Sequence, residues 1–138
     1  MCWSVYLASN HPLKLIEWNP KKPGFSATSP EPRDEPIRQQ FEGKHMVVLS
    51  AYDQCGCGFM DEDDGPTDPR RETINQLVTY LNQALADSPE LEMFVCWEGG
   101  ERDEPTHRLV LKPSDFEAPT FPLGDDVHGE SGYARIAL

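Results

Sequence analysis

The densest chemistry in this chain sits in five consecutive residues, Cys55-Gly56-Cys57-Gly58-Phe59. In an extended backbone, residues two apart point to the same side, so both thiols would face one way. The flanking glycines would let another group approach closely. Two thiolates placed like this form a pincer for a soft metal, and zinc is the candidate ion. A structural zinc site takes four ligands, so the others must come from elsewhere: Cys96, together with His45 or Cys2. We therefore expect a metal site built on Cys55, Cys57, Cys96 and His45. A single Cys-x-Cys pair is less specific than two Cys-x-x-Cys knuckles. A plainer reading stands beside it, in which Cys96 packs as a small hydrophobe between Val95 and Trp97 and the glycines mark a bulge or tight turn.

The same thiols admit a second chemistry. A nucleophilic cysteine needs a depressed pKa and a nearby base, and His45 precedes the motif on the same or an adjacent strand. The charge environment opposes this, because Asp53 and the run Asp61-Glu62-Asp63-Asp64 flank the thiols and negative charge raises a thiol pKa. A Cys55–Cys57 disulfide would close a very small, strained and easily reduced ring.

Other constellations are weaker. Aligning Gly65 with the glycine of a calcium loop puts Met60 and Arg71 where ligands should be. Asp125-Asp126-Val127-His128 could offer hard and imidazole ligands together. Glu98, Glu101, Asp103 and Glu104 could supply an acid–base carboxylate if their loop folds over a pocket. Solvation of an exposed loop is the simpler account of both. No phosphate-binding glycine loop and no Gly-x-Ser-x-Gly elbow occurs, which excludes the nucleotide-loop and α/β-hydrolase readings.

These residues must be positioned by a small set of elements. Trp3 to Ala8 alternates as a strand, with Trp3, Val5 and Leu7 on one face and Ser4 and Tyr6 on the other. The proline-rich run from Asn19 to Pro36 reads as a surface excursion anchored by Phe25, and Ile37 to Phe41 as a helical turn. His45 to Ser50 is apolar on both faces, as a central strand would be, and Cys57 to Met60 could extend or pair with it. Asp68 can cap a helix that has Pro69 at its first position. Ile74, Leu77, Val78, Leu81 and Leu85 then form one apolar stripe, ending near Ser88-Pro89. Leu91 to Trp97 follows as a strand, and the order strand, helix, strand implies a crossover between parallel neighbours. Arg108 to Lys112 reads as the second arm of a hairpin with it. Ser114 or Asp115 starts a short helical turn, and the tail from Pro119 shows no clear period. We expect an α+β fold: a mixed sheet of four to five strands on one main amphipathic helix, with long proline-rich loops, in a single domain over 1–138.

Tyr6-Leu7-Ala8-Ser9 with Pro12-Leu13, His45, Leu49-Ser50 leading to Cys55-Gly56-Cys57-Gly58-Phe59, and Cys96-Trp97 together resemble a group of small uncharacterised bacterial proteins centred on a Cys-Gly-Cys-Gly-Phe motif. The likeness spans Tyr6 to about Leu111, and its central pentapeptide is the distinctive part. It implies a bacterial origin and a shared fold. It implies no reaction and supplies no catalytic residue.

Composition limits the partners. With 24 acidic against 12 basic side chains the formal net charge is -12, which repels phosphate backbones and anionic membrane surfaces. Nucleic acid and membrane are excluded as partners, whereas a basic protein is admitted. The N-terminal segment lacks a basic region ahead of its apolar run, and no apolar stretch reaches the length of a bilayer span, so we expect a cytoplasmic protein with reduced cysteines. The functional expectation is a non-enzymatic accessory or interaction module, with zinc-binding or thiol-based activity at Cys55-Gly56-Cys57 as the alternative.

Overall fold

The computed structural model describes residues 2–61, 65, 68–124 and 130–138. They form an α+β domain around one mixed sheet. Its strands are β1 (Trp3–Ser9), β2 (Ser26–Thr28), β3 (His45–Ser50), β4 (Leu91–Trp97), β5 (His107–Leu111) and β6 (Gly132–Ile136), in the spatial order β2-β3-β1-β4-β6-β5. Among the described residues six strands are therefore present, slightly more than the four to five expected. The helices are α1 (Cys57–Met60) and the long α2 (Pro69–Asp87), with 3-10 segments at Pro32–Gln40 and Pro113–Glu117.

Alternation along β1 gives the sheet two cores. Trp3, Val5 and Leu7 join Val47, Leu49, Met93 and Val95 beneath the α2 stripe. Tyr6 points the other way and packs with Met46, Phe94, Cys96, Tyr133 and Ile37, the last contributed by the Pro32–Gln40 segment. Helix α2 begins as its capping signal predicts, with the Asp68 carboxylate accepting the Arg70 N–H at 2.8 Å and Pro69 in the first turn. Its residues Ile74, Leu77, Leu81 and Leu85 are buried. The almost fully buried Arg70 donates from Nε to the Phe59 carbonyl at 3.0 Å, tying α2 to the end of the Cys-Gly-Cys-Gly-Phe segment.

Two expected pairings are corrected. Strands β3 and β4 run in the same direction but are not neighbours, because β1 lies between them and is antiparallel to both. Its buried residues on both faces suit β1 to that central place. Strand β5 is not the hairpin partner of β4. The two are separated by β6, which is antiparallel to β4 and parallel to β5. Burial explains the order: β4 is covered along nearly its whole length and needs a partner on each side, whereas Arg108 and Val110 leave β5 exposed and suited to an edge. Within the proline-rich run, Ser26–Thr28 does ladder onto β3, since this short edge strand lies between Pro23 and Pro30 and contains no proline. The buried Phe25 adjoins it as expected.

A buried carboxylate fastens the far end of the sheet. Glu92 accepts the N–H groups of Glu42 and Gly43 and, at 2.6 Å, the Tyr133 hydroxyl. Among the described residues no helix is long and apolar enough to cross a membrane.

Because Leu81 is fully buried beneath the sheet, Leu81→Ala should lower unfolding free energy by roughly 2–5 kcal/mol. Val110→Ser, on a residue 82% exposed, should change it by less than about 0.5 kcal/mol. Urea denaturation monitored by tryptophan fluorescence checks both.

Candidate metal centre

After β3 the chain turns sharply. Gln54 N–H donates to the Ala51 carbonyl and Ala51 N–H to the Cys55 carbonyl, both at 3.0 Å. Gln54 takes a left-handed conformation with φ of 60°. Helix α1 then starts at Cys57, so the motif is a tight turn running into one helical turn and not the extended strand that its spacing suggested. The thiols converge nevertheless, because the turn folds onto the beginning of β1. A Cβ on Gly56 would lie 2.6 Å from the Trp3 carbonyl oxygen, which makes glycine the residue that permits this approach. A Cβ on Gly58 would lie 2.6 Å from both Ala51 Cβ and Asp53 Oδ1. Phe59 closes the segment from beneath, its ring 5.6 Å from Phe121 and 6.4 Å from Phe25.

Backbone N–H groups point at the sulfurs. Trp3 N–H donates to Cys57 Sγ at 3.3 Å and Cys57 N–H to Cys55 Sγ at 3.4 Å. Because β1 starts here, Cys2 is carried to the same place, and the Sγ atoms of Cys2, Cys55 and Cys57 all lie within 4.8 Å of one another. Zn–S bonds of about 2.3 Å in a tetrahedron set sulfurs roughly 3.8 Å apart, so a small contraction brings the three to ligating distance. Cys2 is exposed, and Cys55 and Cys57 are half-buried.

The other two expected ligands lie elsewhere. Cys96 stands opposite Ser4 in the β1–β4 register, fully buried with Tyr6 and Phe94 on the face away from α2. Its strand neighbours Val95 and Trp97 face the main core, and the pleat turns Cys96 away from them. His45 pairs with Ser9 at the opposite end of β1 from the thiols and is exposed. The third sulfur is thus that of Cys2, which the sequence offered only as an alternative to His45. Its signal was its position directly before Trp3 at the start of an apolar strand. Glu62-Asp63-Asp64 and Asp125-Asp126-Val127-His128 lie outside the described residues.

Burial pushes the Cys55 thiol up to about 12, and the neighbouring Cys57 and Cys2 add to the rise. Burial likewise pushes Cys96 up to about 12, with the carboxylates of Glu101 and Asp103 acting in the same direction. Burial also raises the Asp53 carboxyl, against the opposing pull of the Cys55 N–H. A thiol held this high is not a nucleophile at neutral pH, whereas a bound cation would deprotonate it outright. Searches against protein-family models, curated proteins and solved structures find no match to this chain.

Gly56→Ala must push a methyl group against the backbone of the central strand. It should cost about 1–3 kcal/mol in urea denaturation. It should also weaken zinc binding in a chelator-competition titration, since the same displacement separates Cys2 from the other two thiols.

Proposed function

We propose that this protein is a zinc-binding accessory module that holds one metal ion on Cys2, Cys55 and Cys57. The observation that carries this reading is the convergence of three sulfurs from two separate segments, with backbone N–H groups already directed at two of them. Thiolate sets select soft ions, and N–H···S bonds are the outer contacts that tune such centres. Among the described residues no fourth His, Cys, Asp or Glu joins the group, so the remaining coordination position falls to an external donor. Among the described residues no histidine joins the three thiols as a base, and the raised Cys55 thiol disfavours a metal-free nucleophile. Both points favour a binding role over thiol catalysis.

Untagged protein purified without chelator should contain about one zinc per chain by elemental mass spectrometry. Cys2→Ser, Cys55→Ser and Cys57→Ser should each weaken zinc binding at least about tenfold, a loss of ~1.4 kcal/mol. Cys96→Ala and His45→Ala should leave it unchanged. Saturating zinc at 100 times its Kd should stabilise the fold by about 2.7 kcal/mol. Metal-free protein with four titratable thiols, or full zinc affinity in Cys2→Ser, would sink the reading.

A further inference from the structure

Of the two edges of the sheet, one is closed and one is open. At the β2 edge, Ile16 bridges to Ala27 through a reciprocal pair of backbone hydrogen bonds of 2.8 and 2.9 Å. At the other edge β5 pairs with β6 alone among the described strands, which leaves its outer N–H and C=O groups as an unpaired row. We propose that this protein forms a symmetric dimer in which β5 pairs antiparallel with β5 of a second copy, making one continuous sheet across the two-fold axis.

Strand β5 lacks the features that protect an edge. Its five residues, His107–Leu111, include no proline and pair one for one with β6 without a bulge. Val110 is 82% exposed and the adjacent Leu109 is 37% exposed, whereas the other exposed large apolar side chains described, Leu15 and Leu138, stand apart. The polar side chains of β5 are engaged within the protomer. The Arg108 guanidinium lies over the Tyr133 ring, 5.1 Å from its centroid, and His107 Nε2 accepts the Gly124 N–H at 3.2 Å.

Symmetry and charge together select the register. A two-fold axis normal to the sheet keeps each face on its own side, so it must pass between one residue and its own copy. Arg108 and Val110 share the face away from α2, in line with Tyr133 and Arg135, while Leu109 takes the α2 face beside Ala134. An axis at Arg108 sets guanidinium against guanidinium, and an axis at Val110 sets Arg108 against the partner's Lys112. Like charges directly opposite one another are destabilising. An axis at Leu109 instead pairs Leu109 with itself, Leu111 with the partner's His107 and Val110 with the partner's Arg108, so that no cation faces a cation. The aliphatic stem of that arginine covers the exposed valine. Val110 also lines a cleft of about 300 Å³ with Glu42, whose carboxylate is held by Arg135 at 3.1 Å. The partner's guanidinium therefore has room there beside an opposite charge. A second copy of the same strand thus meets the charge requirement of this edge by its own sequence.

Two five-residue strands make a small contact, which places the dimer among weak associations. Each copy carries a net charge of -12, so the copies repel at long range and salt should tighten the dimer.

Sedimentation velocity in the presence of chelator, from about 10 µM to about 1 mM protein, should show monomer passing to dimer. Association should be tighter at about 0.5 M than at about 0.05 M salt. Chelator removes zinc-bridged association as a source of the dimer, so the result is read separately from the zinc proposal. Nitrogen-15 spectra should shift with concentration at the amides of His107 to Leu111 and not at those of Ser26 to Thr28. Val110→Lys, which sets a cation against Arg108 twice per dimer, should weaken association at least about tenfold. Val110→Glu should preserve or tighten it, because the new carboxylate faces the partner's Arg108. Both variants should fold, since Val110 is exposed in the protomer. A protein that stays monomeric throughout would overturn the proposal and leave the edge to an extended segment of another protein. Equal weakening by the two variants would overturn it as well, by showing apolar association without this register.

Discussion

The molecule is organised around the contact between the backbone of Gly56 and the carbonyl of Trp3. There is no room for a Cβ there, and the N–H of Trp3 is turned onto Cys57 Sγ. On its other side Trp3 stacks on Trp97 with 4.5 Å between ring centroids, and the Cys2 carbonyl accepts the Glu98 N–H at 2.9 Å. Cys2 and Trp3 are thereby held between the turn after β3 and the end of β4, and that clamp starts the central strand in register with both neighbours. The turn is braced in its own right by Phe59 in the main core and by the Arg70 side chain on the Phe59 carbonyl.

Local periodicity made much of this fold legible. β1 carries a two-residue alternation, β3 and β4 are short apolar runs, α2 carries a helical repeat, and the cap at Asp68 with Pro69 set the start of α2. Adjacency was another matter. Sequence order placed β4 beside β3 and β5 beside β4, whereas burial requires β1 and β6 in those gaps. β6 escaped notice because it is only five residues long, starts on Gly132 and is broken by Arg135, so neither an alternation nor an apolar run stands out. The same limit explains which thiols come together. The two cysteines of the motif were legible as a pair, but the choice between Cys2 and Cys96 depended on which end and face of the sheet each reaches, and only register decides that.

A cleft of about 440 Å³, lined by Ser4, Ser26, Ser50, Glu98 and Glu101 among others, was legible only in fragments. Ser4 read as a polar member of the first strand's alternation, Ser26 fell in a run read as a surface excursion and Ser50 ended an apolar strand, and nothing local shows that three different strands bring them together. Glu98 and Glu101 did carry a conditional signal, since acidic residues in a long turn matter if the turn reaches over a pocket. It does reach, because the turn is fastened at two points. Glu98 N–H is held by Cys2, and the Gln40 side chain donates to the carbonyls of Glu101 and Asp103.

The clamp on β1 therefore fixes two arrangements at once. Three sulfurs from two separate segments are gathered where the strand begins, all within 4.8 Å of one another. Hard oxygen acceptors are spread over the neighbouring face, too far apart to satisfy one ion. The two arrangements depend on one another, because the same residues that bring Cys2 to the other thiols also hold Glu98 over the cleft. The packing of a single glycine against one carbonyl thus sets the geometry of both.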